Sequence, residues 1–403
     1  MIRMNKWSKN QINTVFAAVS SWGLDAFDFF LLIFVISDIA HTFSVTNKEI
    51  SLAIFITLAC RPVGAIFIGK MAEKYGRKPV LMANVAAFSI LSGLSAFAPT
   101  LTIFLAIRCL YGIAMGGIWG VASALAFETI PSKAKGFVSG LFQAGYPLGY
   151  LSAAVVYGLF FDHVGWRNLF LIGTFPVFLV AFIYFFVEES SVWKQAKNEK
   201  RQNLPIIPIM IQNWHICIFA IILMMCFNFF SHGTQDVYPL FLKEQHHLNT
   251  HTVSIIAICY NIASIIGGIS FGTLSQKIGR PKAIIIASFF ALCAIPLWAF
   301  SSNLVLLGLG AVMMQLMVQG AWGIIPIYLT ELMPHNTRAV LPGVAYQLGN
   351  LLASVNLPLQ VYIAETYGGN YSIALASIAM MASICIMLLM FFNIKRASSL
   401  ISI

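Results

Sequence analysis

Apolar runs of about 20 residues, the length a helix needs to cross the hydrocarbon core of a bilayer, recur along the whole 403-residue chain. Twelve are legible, over 12–37, 50–72, 79–98, 101–127, 136–160, 167–187, 213–242, 252–275, 281–301, 303–329, 339–364 and 369–393. In lipid every backbone N–H and C=O must be satisfied inside the spanning segment, so runs of this length predict helices. Only 9% of the residues are charged, against about 25% in a soluble domain. The expected fold class is therefore an all-α polytopic membrane protein with the lipid bilayer as its surroundings.

The formal charge of +10 follows from topology and implies no nucleic-acid partner. With the N-terminus inside, twelve spans leave Lys48, Arg167 and Lys243 outside and Arg61 and Arg108 within spans. The other 19 of the 24 Lys and Arg, among them Arg3, Lys6, Lys200 and Arg201, then fall inside. Under the positive-inside rule both termini are expected in the cytoplasm. The first run follows basic residues but is too long for a signal peptide, carries Asp25 and Asp28, and lacks a small-residue cleavage site, so it reads as a retained helix. The seven cysteines lie within spans with no metal spacing and read as small core hydrophobes. No metal and no cofactor is expected.

The chain repeats itself at a constant offset of 203. Gly64, Gly69, Lys74, Gly76 and Arg77 match Gly267, Gly272, Lys277, Gly279 and Arg280; Gly117, Trp119, Gly120, Glu128 and Pro131 match Gly320, Trp322, Gly323, Glu331 and Pro334. Two six-helix halves of one orientation, 1–187 and 213–403, joined by a polar linker over 188–212, form a parallel repeat. This pseudo-symmetric, twelve-helix organisation resembles the major facilitator fold. The loop after the second run, Gly69 to Lys78, resembles that superfamily's Gly-x-x-x-Asp-Arg/Lys-x-Gly-Arg-Arg/Lys signature, with Glu73 in the acidic position. Gly69 lets a neighbouring helix approach and Gly76 makes the turn. The resemblance implies a gating latch built from Gly69, Glu73, Gly76 and Arg77; a merely topology-fixing basic loop is the alternative. The second copy carries Gln276 instead of an acid, so a weaker latch is expected there. Arg108 heads an Arg-x-x-x-Gly-x-x-x-Gly pattern and reads as a structural residue bonded to carbonyls, or as a coupling or gating residue.

Polar groups are concentrated where they are expensive. Asn228, Ser231, His232, Gln235 and Asp236 share a face about 140° wide at 100° per residue. Such groups at membrane depth point to a solute path, with a helix-packing cluster as the alternative. His232 and Asp236 are four apart and so adjacent; a neighbouring carboxylate favours the imidazolium, which suits proton exchange. The repeat sets Asp25 opposite Asn228 and Asp28 opposite Ser231. Two carboxylates three residues apart do not both ionise cheaply in a low dielectric, so a proton-coupling role is expected, or a salt bridge to Arg61 or Arg108. Arg61, midway along its run, needs a carboxylate partner or an anionic ligand. Gln347 and Asn350 share a face of the eleventh run, with Gln143 and Tyr346 as weaker candidates.

The stretch Asn228-x-x-Ser231-His232-x-Thr234-Gln235-Asp236 resembles the sialate:proton symporter family, in particular its lactate and pyruvate permeases. The pattern is matched except at its last position, where Leu240 replaces Thr. Trp22 to Phe30 resembles the same family. The resemblance implies a non-enzymatic carrier, a functional monomer in a bacterial inner membrane, that moves a short carboxylate together with a proton by alternating access. It assigns Arg61, Asn228, His232, Gln235, Gln347 and Asn350 to the substrate. Sialic acid or another organic acid is the near alternative, although those relatives often carry extra central spans. A solute sensor on the same scaffold, and a membrane enzyme using His232 and Asp236, are the alternatives of other classes.

Overall fold

A computed structural model describes residues 7–198, 206–334 and 337–401. Arg3, Lys6, Lys200 and Arg201 lie outside the described residues. All regular structure within them is helical. The helices are α1 Lys9–Phe34, α2 Ile36–Phe43, α3 Asn47–Tyr75, α4 Arg77–Ala96, α5 Leu101–Thr129, α6 Lys135–Ile172, α7 Val177–Phe186, α8 Ser191–Asn198 and α9 Ile206–Gln212. They continue as α10 Trp214–Gln235, α11 Tyr238–Glu244, α12 Thr250–Ile278, α13 Arg280–Phe300, α14 Leu304–Trp322, α15 Ile325–Leu332, α16 Leu341–Ala353, α17 Asn356–Thr366 and α18 Tyr371–Ile401.

Among the described residues, ten helical segments are long and apolar enough to cross a membrane. The difference from twelve has two local causes. Ser132–Phe186 is one segment of 55 residues that holds two of the expected runs; Gly165 at φ 71° and a turn over 173–176 bend it. The eleventh run is broken between α16 and α17. Pro358 lacks an N–H and its ring crowds the carbonyl four residues back, that of Ser354, which is where the helix stops. Outward faces carry exposed apolar side chains such as Phe67, Leu110, Val155, Phe185 and Phe392, as contact with lipid requires. The cysteines depart from the reading as core residues: Cys217 and Cys226 are buried, but Cys259 and Cys293 are exposed.

By backbone proximity the chain divides into two compact units. The first comprises 1–132, 145–217 and 330–347; the second comprises 133–144, 218–329 and 348–403. Both are built on one plan. In the first unit, α3 starts from a capping box in which Thr46 Oγ1 accepts from the Glu49 N–H and Glu49 reaches back to the Thr46 N–H at 2.8 Å. That backbone N–H, and then the Thr46 hydroxyl, hold the Glu49 carboxyl below its ordinary range. The helix ends at Gly76, whose φ of 113° disfavours any side chain. In the second unit, α12 starts after Asn249, whose side chain accepts from the Thr252 N–H, and ends at Gly279 with φ 92°. These caps and stops stand at the 203-residue offset, as do the caps Thr100 of α5 and Asn303 of α14.

Close helix contacts repeat as well. A Cβ on Gly64 would strike the backbone of Ile113, and one on Gly267 the backbone of Leu316. Each pair again differs by 203. Small residues let backbones approach where lipid supplies no hydrophobic drive between helices. In the first unit this brings α5 so near α3 that Gly116 abuts the main chain of Arg61.

Candidate functional site

Besides Arg77 of the loop motif, the first unit buries four ionisable side chains that the sequence singles out. Asp25 and Asp28 on α1 and Arg108 on α5 are 0% exposed, and Arg61 on α3 is 3% exposed. Their partners divide them sharply. Asp28 Oδ2 accepts from Arg108 Nη1 at 3.3 Å and Oδ1 accepts from the Ser92 hydroxyl of α4. Arg108 also donates to Ser95 Oγ through Nε at 3.1 Å, and its guanidinium lies 4.5 Å from the Tyr111 ring centre and 4.9 Å from that of Phe170. This is a closed ion pair in an aromatic sleeve. Arg108 therefore bonds a carboxylate and a hydroxyl, not the carbonyls expected of it. It also stands far from Glu128, which lies 20 positions on in α5, about 30 Å at 1.5 Å per residue. The structure thus groups it with Asp28 and not with the loop residues.

Asp25 and Arg61 are open where that pair is closed. Neither Asp25 carboxylate oxygen has a hydrogen-bond partner, and Arg61 Nε and Nη2 have none. The Tyr111 hydroxyl donates to the Asp25 backbone carbonyl at 3.2 Å, not to its carboxylate. Arg61 is the cation within electrostatic reach of Asp25. Tyr346, on α16, ties the surroundings together: its ring stacks on Trp119 with centres 5.1 Å apart, meets Trp22 edge-on at 6.2 Å, and has the Arg61 guanidinium 5.9 Å from its centre. The next residue, Gln347, is buried with both amide atoms unbonded. Most buried polar groups in native proteins have partners, so a guanidinium, a carboxylate and an amide left unsatisfied in one unit mark a site for a polar ligand.

In the second unit the polar face of α10 splits in two. Asn228 is buried and donates to the Met224 carbonyl of its own helix at 2.7 Å. Ser231 Oγ accepts from Gln319 Nε2 of α14 at 3.2 Å, and Thr234 Oγ1 from Gln315 Nε2 at 3.0 Å. Packing against α14 thus accounts for Ser231, at one edge of the face, and for Thr234 just beyond it. A face 140° wide presents one edge to the packed α14, and the alternative of a packing cluster holds for that edge. On the other edge His232 Nδ1 lies 3.2 Å from Asp236 Oδ2, with side chains 34% and 40% exposed; between the edges Gln235 is half-buried. Asn350 on α16 is half-buried.

Sequence reasoning missed Ser92, Ser95, Gln315, Gln319, Asn356 and Gln360. Gln360 Nε2 donates to the Gly233 carbonyl at 2.7 Å, and both amide atoms of buried Asn356 are unbonded. Gln315 with Gln319, and Asn356 with Gln360, are pairs four apart inside apolar runs. The same face rule that selected Gln347 and Asn350 would have found them.

The loop motif forms one compact cluster. Arg77 pairs with Glu73 at 3.1 Å and with Glu128 at 3.2 Å, and Glu73 Oε1 accepts from the Ala339 N–H at 3.3 Å. Gly69 makes room there, since a Cβ on it would come within 3.1 Å of Val340 Cα. Glu189 caps the start of α4 by accepting from the Arg77 N–H at 3.1 Å and from the Lys78 N–H. The second copy keeps these bonds with an amide in the place of the Glu73 carboxylate. Gln276 Oε1 accepts from Arg280 Nη2 at 2.8 Å and from the Gly136 N–H at 3.0 Å. Gly136 and Ala339 are themselves repeat partners. Glu73→Gln is therefore expected to keep the bond to Ala339 and to lose about 1–2 kcal/mol from the weakened Arg77 contact. Thermal unfolding of the purified protein checks this; a loss as large as that in Arg77→Ala would show that the carboxylate does more than accept these bonds.

The Major Facilitator Superfamily model matches residues 23–354 and 237–402. The chain is 30% identical over 389 residues to a carboxylic acid transporter protein homolog of Saccharomyces cerevisiae, covering 90% of this chain and only 63% of that longer protein. It is 29% identical to the sialic acid transporter NanX of Escherichia coli, covering 92% of each. In structure it resembles the proton:xylose symporter XylE, with a TM-score of 0.76 over 93% of this chain and 94% of that one at 15% identity, a likeness of fold. Duplicated helical units, the loop motif with its second copy and a family model spanning most of the chain lead to one conclusion: this integral membrane protein belongs to the major facilitator superfamily and is a secondary transporter, not an enzyme.

Proposed function

We propose that the chain carries a short monocarboxylate, lactate or pyruvate, into the cell together with a proton by alternating access. The observation that carries this reading is Arg61: a buried guanidinium with Nε and Nη2 unbonded. Nε and one Nη form a fork that matches a carboxylate. Gln347 beside Tyr346 supplies further donors and acceptors for the carboxylate and the 2-oxygen, and Asn228, Gln235 and Asn350 complete the proposed substrate set. Asp25, Asp28, His232 and Asp236 are the proposed proton-handling groups. A bare carboxylate is expensive to move through a dry centre, and a proton taken up with it removes the charge. Glu73, Arg77 and the two glycines of the loop would latch one state of the cycle, with both termini on the cytoplasmic side.

Likeness to a carboxylic acid transporter homolog and to a sialic acid transporter supports an acidic solute and keeps sialic acid as the second reading. Radiolabelled lactate flux in proteoliposomes under an imposed pH gradient, with pyruvate and sialic acid as competitors, tests both. Lactate uptake that sialic acid displaces at far lower concentration than pyruvate would favour the second. His232→Ala is expected to flatten the pH dependence of lactate uptake by severalfold at its optimum. An unchanged profile would take His232 off the proton path.

A further inference from the structure

We propose that Gln315 and Gln360 are positioning residues for the His232–Asp236 pair, because their amides hold the two carbonyls that lie between its members. This rests on the reading of the chain as a proton-coupled carboxylate carrier. The apolar run over 213–242 does not fold as one helix: α10 stops at Gln235 and α11 starts at Tyr238. Pro239, in the first turn of α11, has no N–H to give, and its ring crowds the Gln235 carbonyl. In an unbroken helix the Gly233 and Thr234 carbonyls would take the N–H groups of Val237 and Tyr238. Here they accept from side chains. Gln360 Nε2 reaches the Gly233 carbonyl at 2.7 Å, and Gln315 Nε2 reaches the Thr234 carbonyl at 3.2 Å and its hydroxyl at 3.0 Å. A carbonyl stranded at membrane depth is costly, and two uncharged donors, from α14 and α17, answer these two.

The same turn carries the pair. The Asp236 N–H donates to the His232 carbonyl at 3.0 Å, and His232 Nδ1 lies 3.2 Å from Asp236 Oδ2. Gly233 and Thr234 are the middle of that turn. Gly233 leaves it no slack toward α18, where a Cβ would strike Ile378. The turn is thus held from α14, α17 and α18, and a tilt of its last peptides would open the contact between imidazole and carboxylate. These three elements bring no competing charge. α14 has no ionisable side chain, α17 has Tyr362 and Glu365, both exposed, and α18 has none between Tyr371 and Cys385.

The repeat supplies an independent indication. At the 203-residue offset Gln315 and Gln360 correspond to Gly112 and Tyr157, and His232 and Asp236 correspond to Phe29 and Ile33. At these positions the first unit has neither the pair nor the amides; the second has both. A device needed merely to stop a helix would be expected in both copies, yet α1 ends before α2 without it.

Each amide uses its donor here and leaves Oε1 unbonded, so a side chain of similar shape without the donor isolates its role. The test is uptake of radiolabelled lactate into proteoliposomes across the range in which an imidazole titrates. Gln360→Met and Gln315→Met are each expected to lower uptake about fivefold at its optimum, the scale of one buried hydrogen bond, and to flatten its pH dependence as His232→Ala does. In a His232→Ala background the same substitutions are expected to change uptake less than about twofold, since a residue acting through His232 has nothing left to position. Equal losses in both backgrounds would overturn the proposal and leave the amides as helix stops; undiminished uptake in the Met variants would overturn it as well. Gln360→Glu separates positioning from misfolding. Protonated, its O–H donates to the Gly233 carbonyl; ionised, it has no proton to give. Its uptake relative to wild type is expected to lie within about threefold in acid and to fall toward that of Gln360→Met as pH rises; a ratio that stays flat would overturn the proposal. A wild type that carries neither lactate nor pyruvate nor sialic acid would overturn the functional reading instead, a failure visible without any substitution.

Discussion

Arg61→Ala is expected to lower lactate uptake about a hundredfold or more while the protein still inserts and purifies normally. Removing one member of a buried, hydrogen-bonded charge pair costs about 2–5 kcal/mol, and about 1.4 kcal/mol is a tenfold change. The fold should survive, because Nε and Nη2 of the side chain hold no hydrogen bonds and the Asp25 carboxyl left behind can take a proton. Arg61→Lys should rescue little, since an ammonium supplies charge without the planar fork. Initial rates of radiolabelled lactate uptake, normalised to protein in the membrane, decide it. Normal uptake in Arg61→Ala would remove Arg61 from the site and with it the main support for an anionic substrate.

The second large effect is on stability. Asp28→Ala leaves Arg108 charged and 0% exposed, and breaking a buried pair from one side costs about 3–5 kcal/mol. Arg108→Met should cost less, because the stranded carboxyl can take a proton whereas a guanidinium does not give one up. The ordering of thermal midpoints in detergent is therefore wild type, then Arg108→Met, then Asp28→Ala. Equal midpoints for all three would show that the pair contributes nothing to holding α1, α4 and α5 together.

Much of this architecture is legible in the chain before any coordinates. The 203-residue offset matches Gly76 to Gly279, where α12 and α13 meet as α3 and α4 do, and in the structure the helix caps at Thr46 and Thr100 recur at Asn249 and Asn303. These features are local, set by a cap, a turn or a close-packed glycine, and a copied sequence copies them. The break after α16 is equally local, since Pro358 announces it, but a count by hydropathy passes over it. The site is less legible because it depends on partners distant along the chain. Nothing in Asp-Ala-Phe-Asp tells Asp25 from Asp28; Ser92 and Arg108 lie 64 and 80 positions from Asp28 and reach it alone. Likewise the width of the polar face on α10 can be read, but which edge of it α14 covers is fixed by Gln315 and Gln319. The weaker second latch expected from Gln276 needs refinement: its bonds are as short as those of Glu73, and what it lacks is charge.

That substitution has a bearing on how the molecule meets its medium. An amide has no proton to lose or gain across the ordinary range of acidity, and no ionic character for dissolved salt to screen. The oxygen that Gln276 offers is thus indifferent to brine and vinegar alike. The carboxylate of Glu73, which shares Arg77 with a second acid, answers to both, so a shift in the surroundings reaches that position of one clasp and passes over the amide that stands in its place in the twin.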